Sequence, residues 1–326
     1  MRILITGGLG YVGMALVDSF RNDFLHEEAG IKAQSLEVTI LDKDFIPQRV
    51  ASLQGTGLNF RFVQEDINSL TSDQEKCKEF LKGFDVIYHL ASPVEAELSV
   101  NKENETWQTI KNATEKLANC KPLNCVFVFA STANVFGGLS QYDQQENLNE
   151  KDTPKPMYPY AKSKLAAENA LLERRDPENI IICRFGTAYG YSDGIRFNLV
   201  TNIFFKQMLL GQPIEVFGDG SNFRSFCHVR DLARAMRFLV NLYQKKQISD
   251  KQVFHVVQAN FQIKELAQII ASFNKNCQVV FPPNKPASFM SYHLSSKKLT
   301  DLGFKFEENL KESTEEMVKI FGVMKK

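Results

Sequence analysis

The sequence has no excess of either charge and no apolar run of membrane-spanning length. It contains 39 Lys and Arg residues against 38 Asp and Glu residues, for a formal net charge of +1, so nothing attracts it to a nucleic acid or an anionic membrane. No run approaches the roughly 18 apolar residues of a transmembrane helix. The first apolar run of the chain is interrupted by glycine after only a few residues, so it is too short for a signal peptide. We therefore expect a cytoplasmic protein with no nucleic-acid or membrane partner.

The cysteines lack the spacing of a metal site. None of the six shows a Cys-x-x-Cys pattern, and several lie in apolar runs. Cysteines of this kind are typically buried thiols of a reducing compartment. We predict free, buried cysteines and no metal site.

A glycine-rich turn follows the first apolar run of the chain. Residues 3–5 are typical of a buried parallel strand, and residues 6–13 read Thr-Gly-Gly-Leu-Gly-Tyr-Val-Gly before a helical pattern. Strand, glycine turn and helix together predict a dinucleotide-binding motif. Gly7 would make the tight turn, Gly10 would let the diphosphate approach, and Gly13 would let the helix pack on the strand. The diphosphate would lie at the helix N-terminus.

The next apolar run, residues 38–41, ends at an acid. At this place in a dinucleotide fold, a carboxylate accepts hydrogen bonds from the adenosine ribose and repels a 2′-phosphate. Asp42 therefore favours NAD over NADP, and the alternative is a solvated acid at a strand end. Because Asp42 comes later than the usual ~20 residues after the glycines, residues 26–37 are interpreted as an insertion.

Further apolar runs predict more parallel strands near residues 85–92, 126–130 and 180–183. They alternate with helical patterns, as in a doubly wound sheet. A hydroxyl at the carboxyl end of a strand faces the ligand crevice of such a sheet. Thr132 could therefore hydrogen-bond a substrate oxygen, and the alternative is that it caps a turn.

Residues 158–164, Tyr-Pro-Tyr-Ala-Lys-Ser-Lys, begin a predicted helix that runs toward Glu173. Pro159 suits the first helical position, and Tyr160 and Lys164 lie one turn apart on the same face. A nearby ammonium and the positive end of the helix dipole both favour the phenolate. The pair is predicted to act as a general base near neutral pH. An amphipathic surface helix is the alternative.

Together these stretches resemble the extended short-chain dehydrogenase/reductase family, and within it the nucleotide-sugar epimerase/dehydratase group. The resemblance runs from Met1 to about Phe306. It is carried by an ordered set of motifs: Thr6 to Gly13, Thr132 with Val135-Phe136-Gly137, Tyr160-x-x-x-Lys164, Gly211 to Ile214, and Arg224 through His228-Val229-Arg230-Asp231.

The resemblance implies an α/β fold, a Rossmann-type doubly wound parallel sheet with a smaller discontinuous C-terminal substrate lobe. The NAD-binding domain would comprise residues 1–186 and about 226–257. The substrate lobe would comprise residues 187–225 and 258–326. A homodimer through helices near residues 104–120 and 160–175 is also implied.

The resemblance assigns roles to individual residues. Thr132, Tyr160 and Lys164 would be the catalytic set, with Tyr160 taking a proton from a sugar hydroxyl while hydride passes to NAD. The implied cofactor-binding residues are Gly7, Gly10, Tyr11, Val12, Gly13, Asp42, Asp66, Ile67, Leu90, Ala91, Ala130, Tyr160, Lys164 and Phe185. The implied residues for a nucleotide-sugar substrate are Thr187, Asn198, Leu199, Phe217, Arg224 and Lys285.

The chain departs from the group's pattern after Thr132. Dehydratases of the group carry a sequence like Thr-Asp-Glu at this place, and UDP-sugar decarboxylases carry a Glu at the position of Asn134. This chain has Ala133-Asn134 after Thr132 instead. The acid and base that eliminate water are therefore missing, and an epimerase is favoured, which oxidises the sugar to a transient keto form and reduces it on the opposite face. Two alternatives remain. One is an NAD(P)-dependent reductase or dehydrogenase of a (4-keto) nucleotide sugar, and the other is a non-catalytic NAD-binding regulator.

Overall fold

The computed structural model describes residues 1–26, 36–54, 59–93, 98–138, 147–175, 178–285 and 290–322. Most of the insertion expected at residues 26–37 lies outside the described residues. The strands are β1 Arg2–Thr6, β2 Glu37–Asp42, β3 Asn59–Gln64, β4 Val86–His89, β5 Val126–Thr132, β6 Ile180–Phe185, β7 Thr187–Tyr189, β8 Ile214–Glu215, β9 Phe223–His228, β10 Gln252–Val256, β11 Ala259–Gln262 and β12 Val279–Val280.

Helices connect and flank these strands. They are α1 Tyr11–His26, α2 Pro47–Ser52, α3 Ile67–Ser72, α4 Gln74–Leu81, α5 Glu103–Trp107, α6 Ala113–Cys120, α7 Pro159–Leu172, α8 Val200–Leu209, α9 Val229–Gln244, α10 Ile263–Ala271, α11 Lys297–Asp301 and α12 Leu310–Gly322. A π-helical turn, Gln108–Asn112, joins α5 to α6. The helix expected at residues 104–120 is therefore present, with its hydrogen-bond pattern widened in the middle.

The central sheet has seven parallel strands in the order β10-β6-β5-β4-β1-β2-β3. The order reverses between β1 and β4, and the crevice beyond the carboxyl ends of the strands at that switch point is where open α/β sheets bind ligands. The predicted doubly wound Rossmann-type sheet is confirmed.

Both faces of this sheet are buried, which explains why its strands are apolar runs without alternation. In β1, Ile3 and Ile5 belong to the core that includes residues of α1 and α9, whereas Leu4 belongs to the core that includes residues of α4, α6 and α7. The helices thus cover the sheet on two sides and leave the carboxyl edge of the strands as the open face.

A second unit of structure follows β6. It contains a three-stranded sheet ordered β11-β9-β7 and a two-stranded sheet of β12 and β8. Its core, which includes Phe204, Phe205, Phe226 and Ile270, draws on α8, α10 and α12. β9 runs across the boundary expected near residue 225. The division into a cofactor domain and a substrate lobe stays a prediction.

The cysteines are all free thiols and all buried, as predicted. In the part of the chain that the structure describes, no helix is both long and apolar enough to cross a membrane. Within the same residues, no group of His, Cys, Asp and Glu side chains is arranged to hold a metal ion.

Candidate active site

A single cavity runs along the carboxyl ends of the central strands. Its wall includes every residue that the sequence analysis assigned to the cofactor, from Gly7 at one end of the glycine turn to Phe185 at the end of β6. The three expected catalytic residues, Thr132, Tyr160 and Lys164, line the same cavity. Residues spread over the first 185 positions of the chain are thus brought to one place, although their roles stay predictions.

The glycine turn is built as its sequence requires. Gly7 follows β1 with a φ of +69°, and a Cβ there would lie 2.7 Å from the backbone nitrogen of Ala91. A Cβ on Gly13 would lie 2.5 Å from the carbonyl oxygen of Gly7, so α1 packs directly on the turn. The first peptides of α1 are left facing the cavity, and a helix N-terminus of this kind suits a diphosphate.

At the other side of the turn, Asp42 ends β2 with its carboxylate in the cavity wall. One carboxylate oxygen accepts the N–H of Leu9 at 3.0 Å, and the other accepts the N–H of Asp44 at 3.2 Å. Burial raises the pKa of Asp42, and the two backbone N–H groups oppose that shift. The carboxylate is therefore fixed between the first two strands, where it could accept a ribose hydroxyl.

Arg49 was not foreseen from the sequence, although it also lines the cavity. Its guanidinium donates to the carbonyl oxygen of Leu9 at 2.6 Å, on the same loop that Asp42 holds. A cation seven residues after a strand-end acid was the available signal. Arg49 and Lys43 add positive charge near the predicted adenosine end.

Strand β5 holds the proposed catalytic pair of α7. Lys164 Nζ donates to the carbonyl oxygen of Ala130 at 2.6 Å and lies 4.7 Å from the centroid of the Phe129 ring. The hydroxyl of Tyr160 forms a hydrogen bond with Thr132. Because the Thr132 oxygen already accepts the N–H of Asn134 at 3.1 Å, the Thr132 proton is available to donate to Tyr160.

Burial dominates the titration of both residues. It raises the pKa of Tyr160 to about 12, opposed by the Thr132 hydrogen bond and the positive charge of Arg196. It lowers the pKa of Lys164 to about 7, opposed by the negative charge of Glu168. The expectation that Lys164 and the helix dipole alone bring Tyr160 near neutral pH therefore needs correction. The cost of burying a phenolate is the larger effect.

Tyr160 and Lys164 nevertheless lie close enough to act together. Lys164 Nζ is 6.0 Å from the centroid of the Tyr160 ring, and an ammonium that comes within about 4–6 Å of the phenol oxygen favours a phenolate. The positive charge of Arg196, which lines the cavity, also favours it. Arg196 was missed in the sequence because it belongs to no motif.

Asn134 marks how this site differs from one built to eliminate water. Its side-chain oxygen accepts the hydroxyl of Tyr292 at 2.6 Å, and the residue lines the cavity beside Thr132. A carboxamide can donate and accept hydrogen bonds, but it does not ionise at physiological pH. Asn134 therefore supplies a fixed dipole and no acid or base.

The six residues expected at the substrate divide into two groups. Thr187 and Leu199 line the cavity, whereas Asn198, Phe217, Arg224 and Lys285 do not contribute to its wall. The buried Arg224 guanidinium donates to the carbonyl oxygen of Phe223 at 3.0 Å and stacks on the Tyr292 ring. Their roles in substrate binding stay predictions.

Lys285 and Phe217 do lie together. Lys285 Nζ is 4.7 Å from the centroid of the Phe217 ring, and the ammonium also pairs with Glu215. Phe217 is 50% exposed, an unusual position for a large aromatic ring. The two residues could together contact a base or a phosphate only if the substrate extends beyond the cavity wall described above.

A Rossmann-type sheet, a glycine turn and a Tyr–Lys pair beside a strand-end hydroxyl define a nicotinamide-dependent enzyme of the short-chain dehydrogenase/reductase type. The model of the NAD dependent epimerase/dehydratase family matches residues 3–255, and the chain belongs to that family. It is accordingly an NAD-dependent enzyme, and the glycine cradle and the Asp42 carboxylate fit that cofactor.

Individual relatives span several reactions. The dTDP-glucose 4,6-dehydratase of Streptomyces niveus is 28% identical over 335 residues, covering 97% of this chain and 92% of its own. An uncharacterized UDP-glucose epimerase of Bacillus subtilis is 29% identical over 248 residues, 72% of this chain and 71% of its own. The UDP-glucuronic acid 4-epimerase structure from Bacillus cereus superposes with a TM-score of 0.78 at 24% identity, covering 99% of this chain and 100% of that one. Since dehydratases and epimerases both occur, the reaction has to be inferred from the site.

Proposed function

We propose that the protein is an NAD-dependent nucleotide-sugar epimerase. The observation that carries this proposal is the composition of the site around Thr132: one potential base, Tyr160, one oriented hydroxyl, Thr132, and an amide at Asn134 in place of a carboxylate. Inverting a carbinol carbon through a ketone needs one group that exchanges a hydroxyl proton. It needs no second acid–base pair for removing water.

When bound, NAD supplies a hydride acceptor and, in its reduced form, a hydride donor. Tyr160 takes the proton of the sugar hydroxyl at the carbon that is oxidised, and returns a proton to the same oxygen afterwards. Thr132, held by the Asn134 N–H, orients that oxygen next to the phenol. Lys164 would hold the nicotinamide ribose by a hydrogen bond, and its charge would favour the Tyr160 phenolate.

The substrate would extend from this centre toward the residues after β6. Thr187, Leu199 and Arg196 line the cavity on that side, and a guanidinium suits the anionic groups of a nucleotide sugar. We propose residues 187–225 as part of the substrate lobe on this ground, and residues 258–326 as the rest of it because α10 and α12 share a hydrophobic core with α8. We also propose a homodimer through the helices near residues 104–120 and 160–175, which light scattering would test.

The function is tested by offering the purified enzyme a panel of uridine, thymidine, guanosine and cytidine diphosphate sugars. We expect one of them to be converted to its epimer, identified by proton NMR, with no net change in the absorbance of reduced nicotinamide. Stoichiometric consumption of reduced cofactor would identify a reductase instead. Loss of water from the product would identify a dehydratase, and binding of NAD without turnover of any sugar would favour a regulator.

Cofactor preference gives a separate prediction at Asp42. We expect Asp42→Asn to narrow the preference for NAD over NADP, because an amide no longer repels the 2′-phosphate while Lys43 and Arg49 remain to attract it. A change of about tenfold in the ratio of the two dissociation constants corresponds to the loss of one moderate charge–charge interaction. Isothermal titration calorimetry with both cofactors measures it.

Asp44→Asn is the matched control, because it removes an exposed carboxylate two residues away. If both variants change the ratio of dissociation constants equally, the effect comes from the total negative charge of this region, and Asp42 has no special contact with the ribose. An unchanged ratio in Asp42→Asn would also remove its assigned role.

A further inference from the structure

Three consecutive residues at the end of β5 each contact α7, and the helix residues they contact are spaced one turn apart. Thr132 bonds Tyr160, the Ala130 carbonyl oxygen accepts Lys164 Nζ, and Ser131 Oγ donates to the Glu168 carboxylate. Two of these contacts hold the proposed catalytic pair. The third holds a residue to which the proposed mechanism assigns no role.

Glu168 is fully buried, with a relative exposure of 0%. Besides the Ser131 hydroxyl, its carboxylate accepts the Nε of Arg184 at 3.1 Å and the Nη2 of Arg184 at 2.7 Å. A buried carboxylate is costly unless such partners surround it. A buried carboxylate that is hydrogen-bonded by Ser131 and Arg184 therefore lies on α7, one helical turn beyond Lys164.

Resting on the proposed function, we infer that Glu168 is a positioning residue for the proposed catalytic pair, setting the register of α7 on β5 and providing the counter-charge of the Lys164 ammonium. The register follows from geometry, since Ser131 lies between the two residues that hold Lys164 and Tyr160. The counter-charge follows from the spacing of Lys164 and Glu168, which places both on one face of α7.

The other titratable groups near Lys164 and Glu168 do not provide a counter-charge for the Lys164 ammonium. His89 on β4 faces Lys164, and burial lowers its pKa to about 3, so it stays neutral. His255 on β10 lies 3.5 Å from Arg184 and is neutral for the same reason, with a pKa of about 3. Tyr160 is a neutral phenol at neutral pH, since burial raises its pKa to about 12, and Arg184 offers only N–H donors. Of these groups, Glu168 alone has a carboxylate.

The sign of the expected effect follows from the pKa of Lys164. Burial lowers it to about 7, and Glu168 raises it. Removing the Glu168 charge must lower it further, so that Lys164 loses its proton at a lower pH. The ammonium would form a stronger, charge-assisted hydrogen bond with the nicotinamide ribose than the neutral amine would, so NAD affinity should then begin to fall at a lower pH.

The experiment compares Glu168→Gln, Ser131→Ala and Glu173→Gln by calorimetric titration with NAD between about pH 6 and pH 9. Glu173 is an exposed residue at the C-cap of α7, and its variant should match the wild type. Glu168→Gln should bind NAD about tenfold more weakly at the alkaline end, as a one-unit fall in the Lys164 pKa would give, and less so at the acid end. Ser131→Ala should weaken binding evenly at every pH.

An unchanged pH dependence in Glu168→Gln would overturn the inference. If this variant does not fold because Arg184 is left unpaired, Glu168→Gln combined with Arg184→Gln removes both charges. A smaller shift in the same direction is expected in the double variant, because the loss of the Arg184 positive charge opposes the loss of the Glu168 negative charge, and a shift in the opposite direction or none at all would also overturn the inference. No sugar turnover enters these measurements, so a protein that binds NAD but converts no sugar would contradict the proposed function and leave this result intact.

Discussion

Replacing Tyr160 with Phe is expected to reduce turnover by about 10²–10⁴-fold, the usual contribution of a positioned acid–base group. The substitution removes only the hydroxyl that bonds Thr132 and leaves the ring in place. Cofactor binding and thermal stability should therefore change little. Steady-state kinetics with the nucleotide sugar that the wild type converts, together with calorimetric NAD titration, measure both effects.

Tyr243→Phe is the matched control for losing a tyrosine hydroxyl. Tyr243 lies on α9 and donates to Asn179 at 2.7 Å, away from the cavity, so this variant should keep full activity. Near-normal turnover in Tyr160→Phe would refute the proposed mechanism even though the fold would stand.

The second large effect is expected at Lys164. Lys164→Met keeps much of the side-chain volume but removes the ammonium that donates to Ala130 and lies 6.0 Å from the Tyr160 ring centroid. NAD should bind more weakly, and the pH at which activity rises should move alkaline by about one to three units, because Tyr160 loses the charge that favours its phenolate. The pH dependence of kcat, measured with saturating cofactor, reports this shift.

Lys162→Ala provides the comparison, since Lys162 is an exposed lysine on the same helix. Its pH profile and NAD affinity should match those of the wild type. If Lys164→Met keeps the wild-type pH profile, Lys164 does not influence Tyr160, and the pair does not act as a unit.

Much of this architecture was readable in the sequence because local patterns determine it. The apolar run of β1, the glycines after it and the four-residue spacing of Tyr160 and Lys164 each have a physical meaning that does not depend on distant residues. The spacing even extends to Glu168, so the same face of α7 could have been followed one turn further.

The rest depends on contacts between residues far apart in the chain. Arg184 pairs with Glu168 across 16 positions, and Tyr292 reaches Asn134 across 158 positions. No local pattern predicts such pairs. The prediction for the pKa of Tyr160 was also wrong for this reason, since the burial of the Tyr160 side chain depends on residues from distant parts of the chain.

Substrate residues were the hardest to place. Thr187 and Leu199 line the cavity, whereas Arg224 is engaged with Tyr292 and backbone oxygens. A motif locates such a residue in the sequence. Packing in the second unit of structure decides whether its side chain points into the cavity. Arg196 faces the site from a stretch that carries no motif at all.

The central claim is that Tyr160 exchanges only a hydroxyl proton, while the one carbon-bound hydrogen that moves passes to the cofactor and returns to the same carbon. The most direct test uses a nucleotide sugar deuterated at all ring carbons, converted in ordinary water and examined by mass spectrometry and NMR. Epimerisation as proposed predicts a product of unchanged mass that retains all its deuterium and differs only in the configuration of one carbon. A product that has lost deuterium to the solvent, or has lost water, would contradict it.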